Sequence, residues 1–193
     1  MYKTIKYFVL YIIYVIMKIK VSIMSITICF IGHLKVKDEK LVYERVLKIV
    51  EELVADDVKY FIFGSKSSFN TLCYKVVSEL RDKKYPFIKR VFANCDHHVY
   101  PEVYQRLIDS MYEYSYFSQK VKNAGGNKYI FRNQDMIDKS DVVIFYYDES
   151  YKKDIMTTKN RRLSFVQKSG TGVAFEYAKK NNKKIINIFN LIC

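Results

Sequence analysis

Three short turns rich in glycine and hydroxyl residues recur along this 193-residue chain. They are Gly32-His33, Gly64-Ser65-Lys66-Ser67-Ser68 and Ser169-Gly170-Thr171-Gly172. Residues of these types, set between a buried strand and a helix, suit the binding of an anion. Glycine lets backbone N–H groups come close to a ligand. Ser and Thr hydroxyls add donors. The first turn of a helix adds unpaired N–H groups and the positive end of its dipole. Any strand-to-helix turn favours Gly and Ser, so each turn alone says little. Three that converge on one edge of a sheet say more.

Further residues join them. Arg132 opens a helical stretch before a buried strand, and its planar donor fork suits phosphate or carboxylate. The plainer alternative is a surface salt bridge to Asp135 or Glu149. Lys66 is a counter-charge for phosphate or a solvated turn residue. His33 follows Gly32 on the same predicted edge. His97 and His98 have no carboxylate or thiol at ligand spacing and read as loop residues. The tyrosines of residues 100–129 have faces that could stack a base, but in a chain with 18 Tyr most are packing. The G-x-x-x-x-G-K-[ST] and G-x-G-x-x-G spacings are both absent, so neither a Walker loop nor a standard dinucleotide fingerprint is present. No cofactor or metal is called for.

The elements that must hold these residues follow from periodicity. Ser25–Ile31 is a continuous apolar run, the mark of a strand buried on both faces. Asp38–Val54 carries an apolar stripe at helical spacing. Tyr60–Phe63 is a second buried strand, and Phe69 to Leu80 a second striped helix. Phe87–Ala93 is a third strand. Residues 94–128 are less regular, with a break at Gly125-Gly126. A helix around Arg132–Ile137, a strand at Asp141–Tyr147, a helix from Ser169-Gly170 through Ala178 and a strand at Lys184–Ile188 complete the chain. Strands alternating with helices predict an α/β fold: a doubly wound, mainly parallel sheet with helices on both faces. With no repeat and no linker, residues 24–193 form one domain.

Composition narrows the class. Half the residues are apolar, which excludes a disordered chain. The net charge is +13, but the lysines are scattered and no DNA- or RNA-binding motif accompanies them, so no nucleic-acid partner is expected. Cys29, Cys73, Cys95 and Cys193 form no C-x-x-C pair; a reducing, cytoplasmic setting fits best. Tyr7–Met17 is an apolar run of 11 residues flanked by lysines, short of the approximately 20 that span a bilayer. It is a membrane-associated segment, an addition to the sheet, or sequence upstream of a true start at Met24; the last reading leaves residues 1–23 outside the domain and lowers the charge to +9. Only retention of residues 7–17 would bring a membrane into play. A homo-oligomer is left open.

Taken together, Phe30-Ile-Gly-His33, Gly64-Ser-Lys-Ser-Ser-Phe69, Arg132-Asn133-x-x-Met136-Ile137-x-x-Ser140-Asp141, and Lys168-Ser-Gly-Thr171 with Glu176-Tyr177-Ala178 resemble the SLOG superfamily, in particular its small YpsA-like members. The resemblance spans about Ser25 to Phe189. It implies a Rossmann-like fold and a nucleotide-derived ligand, bound or sensed by Gly32, His33, Gly64, Ser65, Lys66, Ser67, Arg132, Ser169, Gly170, Thr171 and Gly172. Enzymatic relatives, phosphoribohydrolases and nucleoside deoxyribosyltransferases, carry a glutamate three residues after the turn threonine. Here that position is Ala174. Glu176 lies about 200° further round the helix and faces away. Arg132 matches the upstream arginine. A binding or sensing role is therefore expected, with a nucleotide N-glycosidic hydrolase or transferase using Arg132 and an acid such as Glu176, Asp148 or Glu149 as the alternative.

Overall fold

A computed structural model of the protein describes residues 25–64, 67–96, 101–151 and 169–192. The N-terminal segment with Tyr7–Met17, the turn residues Ser65 and Lys66, His97, His98 and the loop after Tyr151 lie outside the described residues. The elements run β1 Ile26–Gly32, α1 Glu39–Ala55, β2 Val58–Phe63, α2 Ser68–Lys83, β3 Lys89–Asn94, α3 Pro101–Met111, β4 Tyr114–Phe117, α4 Lys128–Asp138, β5 Val142–Tyr146, α5 Gly170–Lys180 and β6 Lys184–Asn187. Among the described residues no helix is long and apolar enough to cross a membrane.

The six strands form one sheet in the order β4-β3-β2-β1-β5-β6, every neighbouring pair parallel. Right-handed crossovers explain the layers. From β1 to β4 the chain steps steadily one way. From β4 it returns to β5 beside β1 and then steps the other way. Reversing the direction puts the later helices on the opposite face. Along β1 the alternation is visible: Ile28 and Phe30 join the core under α1 and α2, while Cys29 and Ile31 join the core under α4 and α5. That double burial is why Ile28 to Ile31 of β1 are all apolar. Phe30, Phe61, Phe63 and Phe69 are fully buried in the first core. Each contributes roughly 1.5–3 kcal/mol by removal from water.

Residues 94–128 are more regular than their sequence indicates. They hold α3 and the edge strand β4. The strand expected from Phe87 begins at Lys89, with Phe87 itself half in solvent.

The amino end of this edge is tied by a buried ion pair. Arg90 is 8% exposed and gives Nε and Nη2 to the two carboxylate oxygens of Glu113, at 3.2 and 2.7 Å. Its Nη1 donates to Ser78 Oγ and to the Tyr74 hydroxyl, at 2.8 and 3.1 Å. Glu113 also accepts the Arg90 N–H, at 2.6 Å. The network joins α2, β3 and the start of β4. Burial pushes the Glu113 carboxyl up, but Arg90 outweighs it and holds it below the usual range. The stability it contributes is thus present above the ordinary carboxylate pKa and lost as pH falls through the lowered value. Replacing Glu113 with Gln strands the buried guanidinium. The expected cost is about 2–3 kcal/mol, read as a lower urea midpoint with an unchanged slope. A midpoint equal to that of the native chain would show that the pair does not hold the edge.

Candidate functional site

Because all strands are parallel, the turns after β1, β2, β3 and β5 lie on one edge. The described residues of the predicted glycine turns, which leave out Ser65 and Lys66, lie there. The chain reverses its direction across the sheet between β1 and β5, and in open α/β sheets ligands bind at that point.

At the reversal, His33 is only 2% exposed. The Asp148 N–H donates to its Nε2 at 3.0 Å, and the Asp148 carbonyl lies 3.1 Å from the same nitrogen. The ring stacks on Tyr151 at 4.0 Å and 16°. His33 is therefore a clasp between the β1 and β5 loops. A neutral ring accepts the Asp148 N–H. A charged ring would donate to the carbonyl and leave that N–H unpaired. Burial lowers the His33 pKa, with Asp148 pulling the other way. The Asp148 carboxylate, 6% exposed, accepts the Ser150 N–H and hydroxyl at 2.8 and 2.6 Å and lies 3.7 Å from Lys37 Nζ. Burial pushes it up, yet Ser150 and Lys37 hold it below the usual carboxylate range.

Two of the glycines serve packing. A Cβ on Gly32 would sit 2.4 Å from the Phe69 ring, and one on Gly64 would sit 2.7 Å from Met136 Sδ and 2.9 Å from Arg132 Nε. Protein side chains thus occupy the space that was expected to admit a ligand. The start of α2 is also engaged. Ser67 caps it by accepting the Asn70 N–H at 3.2 Å, and the Ser68 N–H goes to the Leu34 carbonyl at 2.9 Å. Asn70 is tied to β1 through Nδ2 and the Phe30 carbonyl, at 3.0 Å.

The start of α5 differs. Ser169 caps it by accepting the Gly172 N–H at 3.1 Å. The first N–H groups of any helix lack partners within it. Among the described residues no atom lies within 4 Å of where a Cβ on Gly170 would stand. Thr171 is 8% exposed, and Gly172 lies against the Tyr147 ring. Tyr147 is placed by Asn187, whose side-chain amide bonds both the N–H and the carbonyl of Tyr147, at 3.0 and 2.8 Å. Ala174, three residues past Thr171, is buried in the α4–α5 core, and Glu176 projects outward beside Lys179.

Arg132 is not a surface residue. It is 3% exposed, on α4, above the ends of β2 and β3. Its Nη1 donates to the Gly64 carbonyl and lies 3.5 Å from Cys95 Sγ. Its Nη2 donates to Asn133 Oδ1 at 3.0 Å, and Nε has no hydrogen-bond partner among the described residues. Asp135, one suggested partner, pairs with Lys139 instead. Among the described residues no carboxylate forms an ion pair with Arg132. Burial pushes the Cys95 thiol up despite the adjacent arginine, so Cys95 supplies no compensating charge. Burial also pulls the Arg132 pKa down, but a guanidinium stays charged at neutral pH. The sequence did not foretell the clasp role of His33 or the burial of Arg132. Both depend on contacts between distant segments.

The lowered His33 pKa gives a signed expectation. The unfolded chain takes up the proton near pH 6.5 before the folded one does. Stability is then full above that pH and declines as pH falls through it, by up to about 1.4 kcal/mol per pH unit. Urea titrations from pH 7.5 to 5 on the native chain and on His33→Gln should differ in this window. Parallel profiles would show that His33 is not the responsible group. No protein-family model matches the chain, and no curated protein matches it.

Proposed function

We propose that this chain binds a nucleotide or nucleotide-derived ligand at the carboxyl edge of its sheet, as a Rossmann-like module of the SLOG type, without turning it over. The observation that carries this reading is the buried guanidinium of Arg132, which has no ion-pair partner among the described residues. A buried charge without an ion-pair partner costs several kcal/mol, and an anion bound beside it would offset that cost. The Ser-capped start of α5 supplies a second element favourable to an anion. β2 and β5 flank β1, about 10 Å apart at ordinary strand spacing. That span matches a phosphate together with its sugar. The position that holds a glutamate in glycosidic relatives is the buried Ala174, which supports binding rather than cleavage.

A panel of nucleoside monophosphates, diphosphates and nucleotide sugars tests the proposal by thermal melting. A ligand at 100 times its Kd should stabilise the chain by about 2.7 kcal/mol. The shift should vanish in Arg132→Met. A shift that persists in the variant would place the ligand elsewhere, and release of free base from the ligand would establish the glycosidic reaction instead.

A further inference from the structure

The parallel sheet places the starts of all six strands on its amino edge, opposite the rim that holds Arg132. There α5 runs into β6 through Lys179-Lys180-Asn181-Asn182-Lys183-Lys184. Backbone bonds fix this turn. The Asn182 N–H donates to the Lys179 carbonyl at 3.0 Å and the Lys183 N–H to the Ala178 carbonyl at 3.1 Å, with Asn182 in the left-handed region at φ 53°. Such an ending folds the second lysine pair back beside the first. Lys179 and Lys180 suit the negative end of the α5 dipole. Lys184 lies beyond the helix, at the first position of β6. Lys183 Nζ donates to the carbonyls of Asp138 and Ser140, at 3.1 and 2.7 Å. Lys180 and Lys184 are exposed and have no ion-pair partner among the described residues. The nearby acids are engaged, Asp138 by Lys120 and Tyr177, and Asp141 by the Thr27 N–H at 2.8 Å.

Residues 1–24 join the domain at this same edge. Register pairs Ile28 with Val142 and Val142 with Lys184. At about 4.8 Å per strand, Lys184 stands roughly 10 Å across the sheet from Ile28. Residues 1–24 hold Lys3, Lys6, Lys18 and Lys20 and no acidic residue, so their side chains add only positive charge. The internal stretches outside the described residues follow β2, β3 and β5 and leave from the opposite rim. Between the two lysine pairs of the N-terminal segment runs the apolar stretch Tyr7–Met17. A basic edge joined to an apolar stretch too short to span a bilayer has the two parts of an interfacial anchor. The apolar part enters the boundary between headgroups and chains, and each lysine near the surface adds attraction to anionic lipid. A nucleic acid would use the lysines and leave the apolar stretch without a role.

We propose that the amino edge docks on an anionic lipid bilayer, with residues 7–17 buried in its interface and Lys180 and Lys184 facing the headgroups. The rim that carries Arg132 then faces away from the membrane, into the aqueous phase. This docking goes beyond the ligand reading and does not depend on it.

The test sediments the full chain with vesicles of phosphatidylcholine alone and with vesicles of equal parts phosphatidylcholine and phosphatidylserine. The chain should partition onto the anionic vesicles at least about tenfold more strongly than onto the neutral ones. Lys180→Gln with Lys184→Gln should weaken that partitioning about tenfold. Both lysines are exposed, so this pair should keep the native urea midpoint, which separates lost binding from lost fold. Leu10→Asp with Ile13→Asp should also weaken it at least about tenfold, and added salt should then release what remains. The proposal is overturned by equal partitioning onto both vesicles, by absence from both, or by partitioning that survives either pair of substitutions. A native protein whose first residue is Met24 overturns it as well. Binding to single-stranded RNA as tight as to the anionic vesicles, and unchanged by Leu10→Asp with Ile13→Asp, would show a general polyanion surface and reject the membrane.

Discussion

A sheet in which every strand is parallel to its neighbours must return the chain to the same edge before each new strand. That constraint governs the whole molecule. It requires a crossover after each strand, and right-handedness then decides which face each helix covers. It also gathers the ends of β1, β2, β3 and β5 on one rim. The reversal of direction between β1 and β5 splits the outgoing loops to opposite faces and would leave a gap at the rim. His33 spans it by holding the backbone of Asp148 across 115 residues of sequence. Phe69 seals the floor beside Gly32, and Asn187 extends the β6 edge to fix Tyr147. Among the described residues the rim is thus a frame braced by contacts within the protein.

Against that frame the state of Arg132 is unusual. Elsewhere the fold pairs its buried cation fully: Arg90 meets a carboxylate, two hydroxyls and an aromatic face. Arg132 meets a carbonyl, an amide oxygen, a thiol and the ring of Tyr129. These neutral partners orient the guanidinium, and the nearby Asp96 carboxylate offsets its charge only in part. The contrast within one molecule is the reason to assign the first arginine to stability and the second to an anion.

Much of this architecture was legible in the sequence. The unbroken apolar run of β1 signalled burial on both faces, and the striped helices α1 and α2 emerged at their observed places because their apolar residues keep helical spacing over four turns. Ser169-Gly170 marked the start of α5 through its capping chemistry. What escaped was short or non-local. α3 carries an apolar stripe of Val103, Tyr104, Leu107, Ile108 and Met111 at helical spacing, overlooked among the surrounding tyrosines, and of these only Ile108 is buried. β4 has four residues on the sheet edge, the first two exposed, and presents no buried run. Gly32 and Gly64 looked like sites of ligand approach, because the sequence cannot reveal that Phe69 and Met136 fill the space above them.

The central claim is that the charge of Arg132 is kept for a ligand and not for the fold. The most direct measurement is the free energy of urea unfolding of the native chain and of Arg132→Met, both free of ligand. Removing an unpaired buried cation in favour of an apolar side chain of similar length should leave stability within about 1 kcal/mol of native, or raise it. A loss of about 3 kcal/mol or more would mean that the bonds to Gly64 and Asn133 make Arg132 a structural residue, and the account would fail.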